Sequence, residues 1–311
     1  MPCAPSPRNA AVFQRGIFRI AGSLASYLLA AGAALALSAN AMATPQGASL
    51  DAAARRIQDQ LQARVGIVVR DTGSGWSWGF NADQHFPMAS TFKALACGAL
   101  LAAMDQAPSL ASATALIAAS DLVPYSPVTE KWVGQQVALP DLCAATMTTS
   151  DNTAANKVLQ ALGGPMAVTR FVQSLGDGTT RLDRWEPELN EGAPGDPRDT
   201  TSPAAIASVL EKLVLGNALS ARSRQQLTQW MLDNEVAGPL LRAGIPAGWR
   251  IADRTGSGGH GTRAIIAVMW PPQRAPIVVA IFITATQAGL HQRNQAIAEL
   301  GRVLSQAVIA Q

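Results

Sequence analysis

Ser90-Thr91-Phe92-Lys93 places a serine three residues ahead of a lysine. On a helix, positions i and i+3 share a face, so hydroxyl and ammonium would meet. A serine hydroxyl is a poor nucleophile until a base takes its proton, and a lysine held beside it can be depressed in pKa and pass that proton on. Ser150-Asp151-Asn152 is the second element. Its serine can relay a proton to a leaving amine, and its asparagine can hydrogen-bond both the lysine and a substrate amide. All three residue types also favour helix N-caps, and the two readings are compatible. Arg254-Thr255-Gly256 is the third, at the end of an expected strand. There the cation can hold a carboxylate, the threonine can donate a hydroxyl, and the glycine lets a ligand approach the backbone. The fourth is Glu186-Pro187-Glu188-Leu189-Asn190, in which Glu186 and Asn190 can share one water. That would make a general base with its nucleophile already positioned.

These residues need elements to hold them. Residues 48–62 read as an amphipathic helix, 65–70 as a strand, 71–75 as a turn and 76–80 as a second strand, together a hairpin. From Phe86 to about Trp230, Ala/Leu-rich helical stretches dominate. Strands return at 249–255, 263–270 and 277–285, and a last helix is expected over 291–308. Strand-rich ends around a helical middle predict an α+β fold. In it an α/β lobe (44–86 and 233–311) faces an all-α lobe (87–232), with a ligand groove between them. The segment 183–200 holds three prolines, two glycines and many charges, a length that is functional when it occurs inside a compact fold. Trp185 and Leu189 predict that it is packed.

Residues 1–43 carry Arg8, Arg15 and Arg19 and no acid, then an Ala/Leu-rich run, then small residues with A-x-A spacing. That order reads as an export signal, cleaved after Ala41 or Ala43 and leaving no membrane anchor. The three arginines account for the formal net charge of +3, so the mature chain is near neutral. No basic stripe remains to engage nucleic acid. Cys3 would leave with the signal, and Cys97 and Cys143 form an even pair in an exported chain, read as a disulfide. His85, His260 and His291 show no metal-ligand spacing, and no metal is expected. The tryptophans read as core and loop packing.

In order and spacing, the four elements resemble the S-x-x-K, S-D-N, K-T-G and glutamate-loop set of class A β-lactamases. The resemblance runs from about residue 50 to the end of the chain, and implies the β-lactamase/D,D-peptidase-like fold: an antiparallel sheet with flanking helices against the helical lobe. It implies Ser90 as the nucleophile that opens the β-lactam ring of penicillins, Lys93 as its proton partner, and Ser150 as the shuttle to the ring nitrogen. Asn152 would contact Lys93 and the substrate, and Glu186 with Asn190 would hold the deacylating water. Either Lys93 or Glu186 can be the acylation base. The N–H groups of Ser90 and Ser257 would form the oxyanion hole. Thr255, Gly256, Tyr125 and Arg263 would line the substrate site. Arg184 and Asp199 would close the neck of the Ω-type loop 183–199, with a cis Glu186–Pro187 bond. Cys97 and Cys143 match a disulfide found in many members. Arg254, where the common motif has lysine, resembles the carbenicillin-hydrolysing subgroup. Ala89 and Gly258 stand where carbapenem-hydrolysing members often carry a cysteine bridge, so a narrow, penicillin-biased range is expected. No cofactor is implied, and a periplasmic monomer conferring antibiotic resistance is expected. The alternatives are a penicillin-binding D,D-peptidase and a β-lactam sensor domain, against which the Glu186/Asn190 pair argues.

Overall fold

The computed structural model of the chain describes residues 45–310; the expected export signal and Cys3 lie outside the described residues. Helix α1 (Pro45–Leu61) leads into strands β1 (Arg64–Asp71) and β2 (Ser77–Phe80). Asp71 closes their hairpin by accepting from the Gly73 backbone N–H at 2.8 Å, as short acidic side chains do in tight turns. The middle of the chain runs β3 (Phe86–Pro87), α2 (Phe92–Gln106), β4 (Thr114–Leu116), β5 (Gln136–Ala138), α3 (Leu139–Thr148), α4 (Asn152–Leu162), α5 (Pro165–Ser174), β6 (Thr200–Thr201), α6 (Pro203–Val214) and α7 (Ala221–Leu232). The short helix α8 (Leu241–Gly244), strands β7 (Arg250–Ser257), β8 (Arg263–Trp270) and β9 (Ile277–Thr284), and helix α9 (Leu290–Ile309) follow.

The five long strands form one antiparallel sheet in the order β2-β1-β9-β8-β7. Every residue of β9 is buried, because both faces of the sheet are covered. Alternate side chains point to opposite faces. Val278, Ala280 and Phe282 therefore join the core shared with α2 to α7, while Ile277, Val279, Ile281 and Ile283 join the one beneath α1, α8 and α9. Burying each such aliphatic side chain contributes about 1.5–3 kcal/mol of transfer free energy. Gly66 of β1 leaves room for a ring: a Cβ there would stand 2.3 Å from Phe86. The same alternation governs β7. Ala252 faces the helical core and Ile251 the opposite one, so Arg254 and Gly256 also face the helices. As an edge strand, β7 keeps one side unpaired in the sheet.

Several expectations hold and some need correction. The long strands and the flanking helices lie within a few residues of the expected spans. Inside the helical middle, however, β3 pairs with β6 and β4 with β5. Pairings of two or three residues carry no periodicity that a sequence could display. Ser90 does not open α2; it sits in a 3-10 turn, Ala89–Thr91, just before it. Leu189 is buried but Trp185 is 40% exposed, and among the tryptophans Trp230 alone is buried. A disulfide joins Cys97 of α2 to Cys143 of α3, with Cα atoms 5.7 Å apart. Among the described residues, no helix is long and apolar enough to cross a membrane.

Candidate active site

The 3-10 turn, the start of α4, the loop after α5 and the end of β7 meet at one point. Each is fixed there by local chemistry. Asp151 caps α4 by accepting from the Ala154 N–H at 2.8 Å. The same buried carboxylate accepts from the backbone N–H groups of Val128 and Thr129 at 3.0 and 2.9 Å, and from the Thr129 hydroxyl. It thereby ties the segment bearing Tyr125 to the helix bearing Asn152. Asn152 adds two bonds of its own, N–H to the Tyr125 carbonyl at 3.0 Å and Nδ2 to the Pro124 carbonyl at 2.9 Å.

The loop with Glu186 is closed at its neck. Asp199 accepts from the N–H groups of Asp183 and Arg184 at 2.8 and 3.0 Å, and its other oxygen pairs with Arg184 Nε at 2.6 Å. Asp183 returns the contact by accepting from the Asp199 N–H at 3.0 Å. The Glu186–Pro187 peptide is cis. Asn156 of α4 grips the loop from inside: its Oδ1 accepts from the Glu186 N–H at 2.9 Å and its Nδ2 donates to the Glu186 carbonyl at 2.8 Å. The residue-type reading missed Asn156, although its place four positions after Asn152 puts the two on one helical face.

Lys93 is wholly buried at the centre. Its Nζ donates to Asn152 Oδ1 at 2.6 Å, the Ser150 carbonyl at 2.9 Å and Ser150 Oγ at 3.3 Å, and lies 3.1 Å from Glu186 Oε1. Burial draws its pKa down to about 8, opposed by the Glu186 charge and assisted by Arg254. The lysine reaches Ser90 through Ser150 rather than directly, for Ser150 Oγ donates to Ser90 Oγ at 3.3 Å. On the far side of Glu186, Asn190 Nδ2 donates to Oε2. Asn190 Oδ1 is buried without a hydrogen-bond partner among the described residues.

Arg254 is fully buried, with Nη2 donating to Ser150 Oγ at 2.5 Å. It thus stands beneath the cleft rather than at its surface, and burial lowers its pKa to about 10. The cleft itself, about 280 Å³, is lined by Ser90, Tyr125, Ser150, Asn152, Asn190, Thr255, Gly256, Ser257 and Arg263, joined by Val236, which the sequence did not single out. Arg263 donates to the Gly256 carbonyl at 3.2 Å and to Asn294 Oδ1 at 2.8 Å; burial, with the neighbouring Arg293, lowers its pKa to about 10. Gly256 allows β7 to touch the Ser90 turn, since a Cβ there would lie 2.8 Å from the Met88 carbonyl and 3.1 Å from the Ser90 nitrogen. Tyr125 and Ser150, which line the cleft, and Ala89, which precedes Ser90, adopt φ of +65°, +70° and +43°. Non-glycine residues in that region cost about 1–3 kcal/mol each and persist where their surroundings over-determine them.

A helical lobe against an antiparallel sheet, with a buried Ser–Lys–Ser–Glu constellation where they meet, describes a hydrolase of the serine acyl-enzyme type. Comparison with known proteins is specific. Residues 49–308 match the model of the β-lactamase enzyme family. β-Lactamase CARB-3 of Pseudomonas aeruginosa is 53% identical over 79% of this chain and 86% of its own length. The solved structure of an ancestral (GNCA) class A β-lactamase is 52% identical, with a TM-score of 0.81 over 83% of this chain and 99% of that one. The chromosome-encoded β-lactamase of Vibrio parahaemolyticus is 44% identical, with a TM-score of 0.82 over 84% and 100%. The chain belongs to the β-lactamase enzyme family, and it is a serine hydrolase of the β-lactam ring.

Proposed function

We propose that the protein opens the ring of penicillins with Ser90 as nucleophile and Glu186 as the base in both half-reactions. The observation that carries this is the convergence of Ser90, Lys93, Ser150 and Glu186 at the cleft floor, the first three joined by hydrogen bonds and Lys93 paired with Glu186. The N–H groups of Ser90 and Ser257 hold the carbonyl oxygen as Ser90 Oγ attacks the carbon. The Ser90 proton passes through water to Glu186. The C–N bond breaks, and the nitrogen takes the Ser150 proton, which Lys93 replaces. Glu186 then returns its proton to the neutral Lys93, 3.1 Å away, which restores both groups. In the second half, Glu186 and Asn190 position a water. Glu186 takes its proton, the hydroxide attacks the ester, and Ser90 Oγ leaves with the proton that Glu186 gives back.

Ser150 is held in the correct sense for this role. Its oxygen accepts from both Lys93 and Arg254, so its single hydrogen is aimed at Ser90. It is therefore a donor in the resting enzyme, suited to protonate a leaving nitrogen and unsuited to receive the nucleophile's proton. Arg263, Thr255 and Ser257 hold the penicillin carboxylate from the cleft wall. Arg254 adds a permanent charge from below, which favours substrates with a second carboxylate on the side chain, as in carbenicillin. The rest of the reading is a periplasmic monomer, exported by its N-terminal signal, with the cleft between the α/β lobe (44–86 and 233–311) and the all-α lobe (87–232).

Turnover of a chromogenic β-lactam by the purified mature chain tests the chemistry. Multiple turnovers that vanish in Ser90→Ala are expected; a single stoichiometric burst would overturn the assignment of Glu186. For Arg254→Lys, the rate ratio of carbenicillin to benzylpenicillin should fall several-fold, and an unchanged ratio would remove the side-chain preference.

A further inference from the structure

The loop that carries Glu186 and Asn190 has a second face. Between its distal limb, residues 192–197, and the ends of β1 and β9 lies a cavity of about 460 Å³. Its walls include Pro87, Pro194, Pro197 and Ala285, and its polar members include Arg64 and His85. Asp196 also lines it, but its carboxylate already accepts from Arg198 at 2.7 and 3.0 Å and lies 3.7 Å from Arg184. His85 Nδ1 is 3.2 Å from the Thr200 hydroxyl.

Arg64 is different. It bonds Gln84 Oε1 and the His85 carbonyl, each at 3.1 Å and both through Nη2, and lies 4.8 Å from the Phe86 ring centroid. No carboxylate among the described residues is within ion-pair distance of it. Its Nε and Nη1 hydrogens are free for a ligand among the described residues. A roomy, proline-walled cavity with one uncompensated cation suits a molecule with an apolar body and one negative end.

We propose that this cavity binds a small amphipathic anion, its ring system against the prolines and its carboxylate or sulfonate on Arg64, and that occupation slows deacylation. The route is short. Residue 192 follows Asn190 by two positions, and Arg184 holds Glu191, Asp196 and Asp199 together, so a shift of the limb reaches the loop neck. The effect on rate rests on the role given to Glu186; binding does not.

The test is titration of the whole mature protein with 2-naphthoate, followed by backbone amide NMR and by deacylation of a slow penicillin. Saturable shifts at Arg64 and Gly195 are expected. Affinity should weaken about tenfold in Arg64→Gln, a loss of about 1.4 kcal/mol, and should be unchanged in Arg263→Gln. Ala193→Phe, which fills the space while keeping the cation, should also abolish binding and carries the test should Arg64→Gln fail to fold. Saturation should slow deacylation at least threefold in the parent and not in Arg64→Gln. Binding lost in Arg263→Gln but kept in Arg64→Gln would put the anion in the catalytic cleft and overturn the site, as would the absence of shifts at millimolar naphthoate. Shifts at Arg64 with an unaltered deacylation rate would overturn the link to Glu186 alone.

Discussion

At Lys93 four acceptor oxygens meet a group with three hydrogens: Ser150 O, Ser150 Oγ, Asn152 Oδ1 and Glu186 Oε1. Such a surround suits an ammonium, and burial has brought its loss of proton down to about pH 8. Below that pH the group is charged and balances Glu186; above it, it is neutral and donates less well. If the cation restores the Ser150 proton, kcat/KM for a penicillin should fall as pH rises through about 8, by about tenfold between pH 7 and 9. A rise over the same range in a stopped-flow profile would make neutral Lys93 the acylation base instead. The residue types and spacings at Ser90, Ser150, Glu186 and Arg254 were legible because chemistry restricts which side chains can stand there. Orientation was not. That Lys93 reaches Ser90 by way of Ser150, and that Arg254 lies under the cleft, depends on which strand face is covered by which helix.

The element that most directly sets Glu186 is α4. Asn156 holds both the N–H and the carbonyl of Glu186, so Asn156→Ala would leave two buried backbone groups unpaired, a cost of about 1–3 kcal/mol for each. Displacing the base by an ångström slows its reaction by on the order of a hundredfold. Asn156→Ala should therefore share the phenotype of Glu186→Gln, with acylation slowed and deacylation slowed further, so that covalent penicillin accumulates and is detectable by intact mass. Free turnover at the parent rate would show that the loop neck at Arg184 and Asp199 suffices alone. At this scale β7, β8 and β9 could be read in advance because long apolar or alternating runs have a visible period. The pairings β3–β6 and β4–β5 could not, and nor could the 3-10 turn at Ser90, since each is made by partners distant in sequence.

For the molecule as a whole, the Cys97–Cys143 bridge links two helices of the same core across a separation of 46 residues. Closing a loop of that length stabilises by about 4 kcal/mol in the chain-entropy model. Replacing both cysteines by alanine should lower the melting temperature by several degrees while leaving turnover intact, because neither sulfur approaches the cleft; loss of activity in a folded double variant would show that the bridge also positions Lys93. The plan of one sheet with flanking helices against a helical middle was legible from the distribution of strands and helices along the chain, and the disulfide from cysteine parity. The strand order was not, because no local signal says which strands are neighbours.

That order has a consequence for how the polypeptide comes to life. β9 lies between β1 and β8, pairing with β1 from Arg64↔Thr284 to Asp71↔Ile277. During synthesis the opening hairpin must wait with one ladder of backbone groups unmet until almost the entire chain has been made. Helices α2 to α7 can collapse locally in that interval, but the sheet cannot be completed by a partial chain. Non-local pairing of this kind is slow and exposes a sticky edge. A nascent chain that cannot finish its fold stays threadable, the state that the export proposed above would require before the last strand locks the molecule shut.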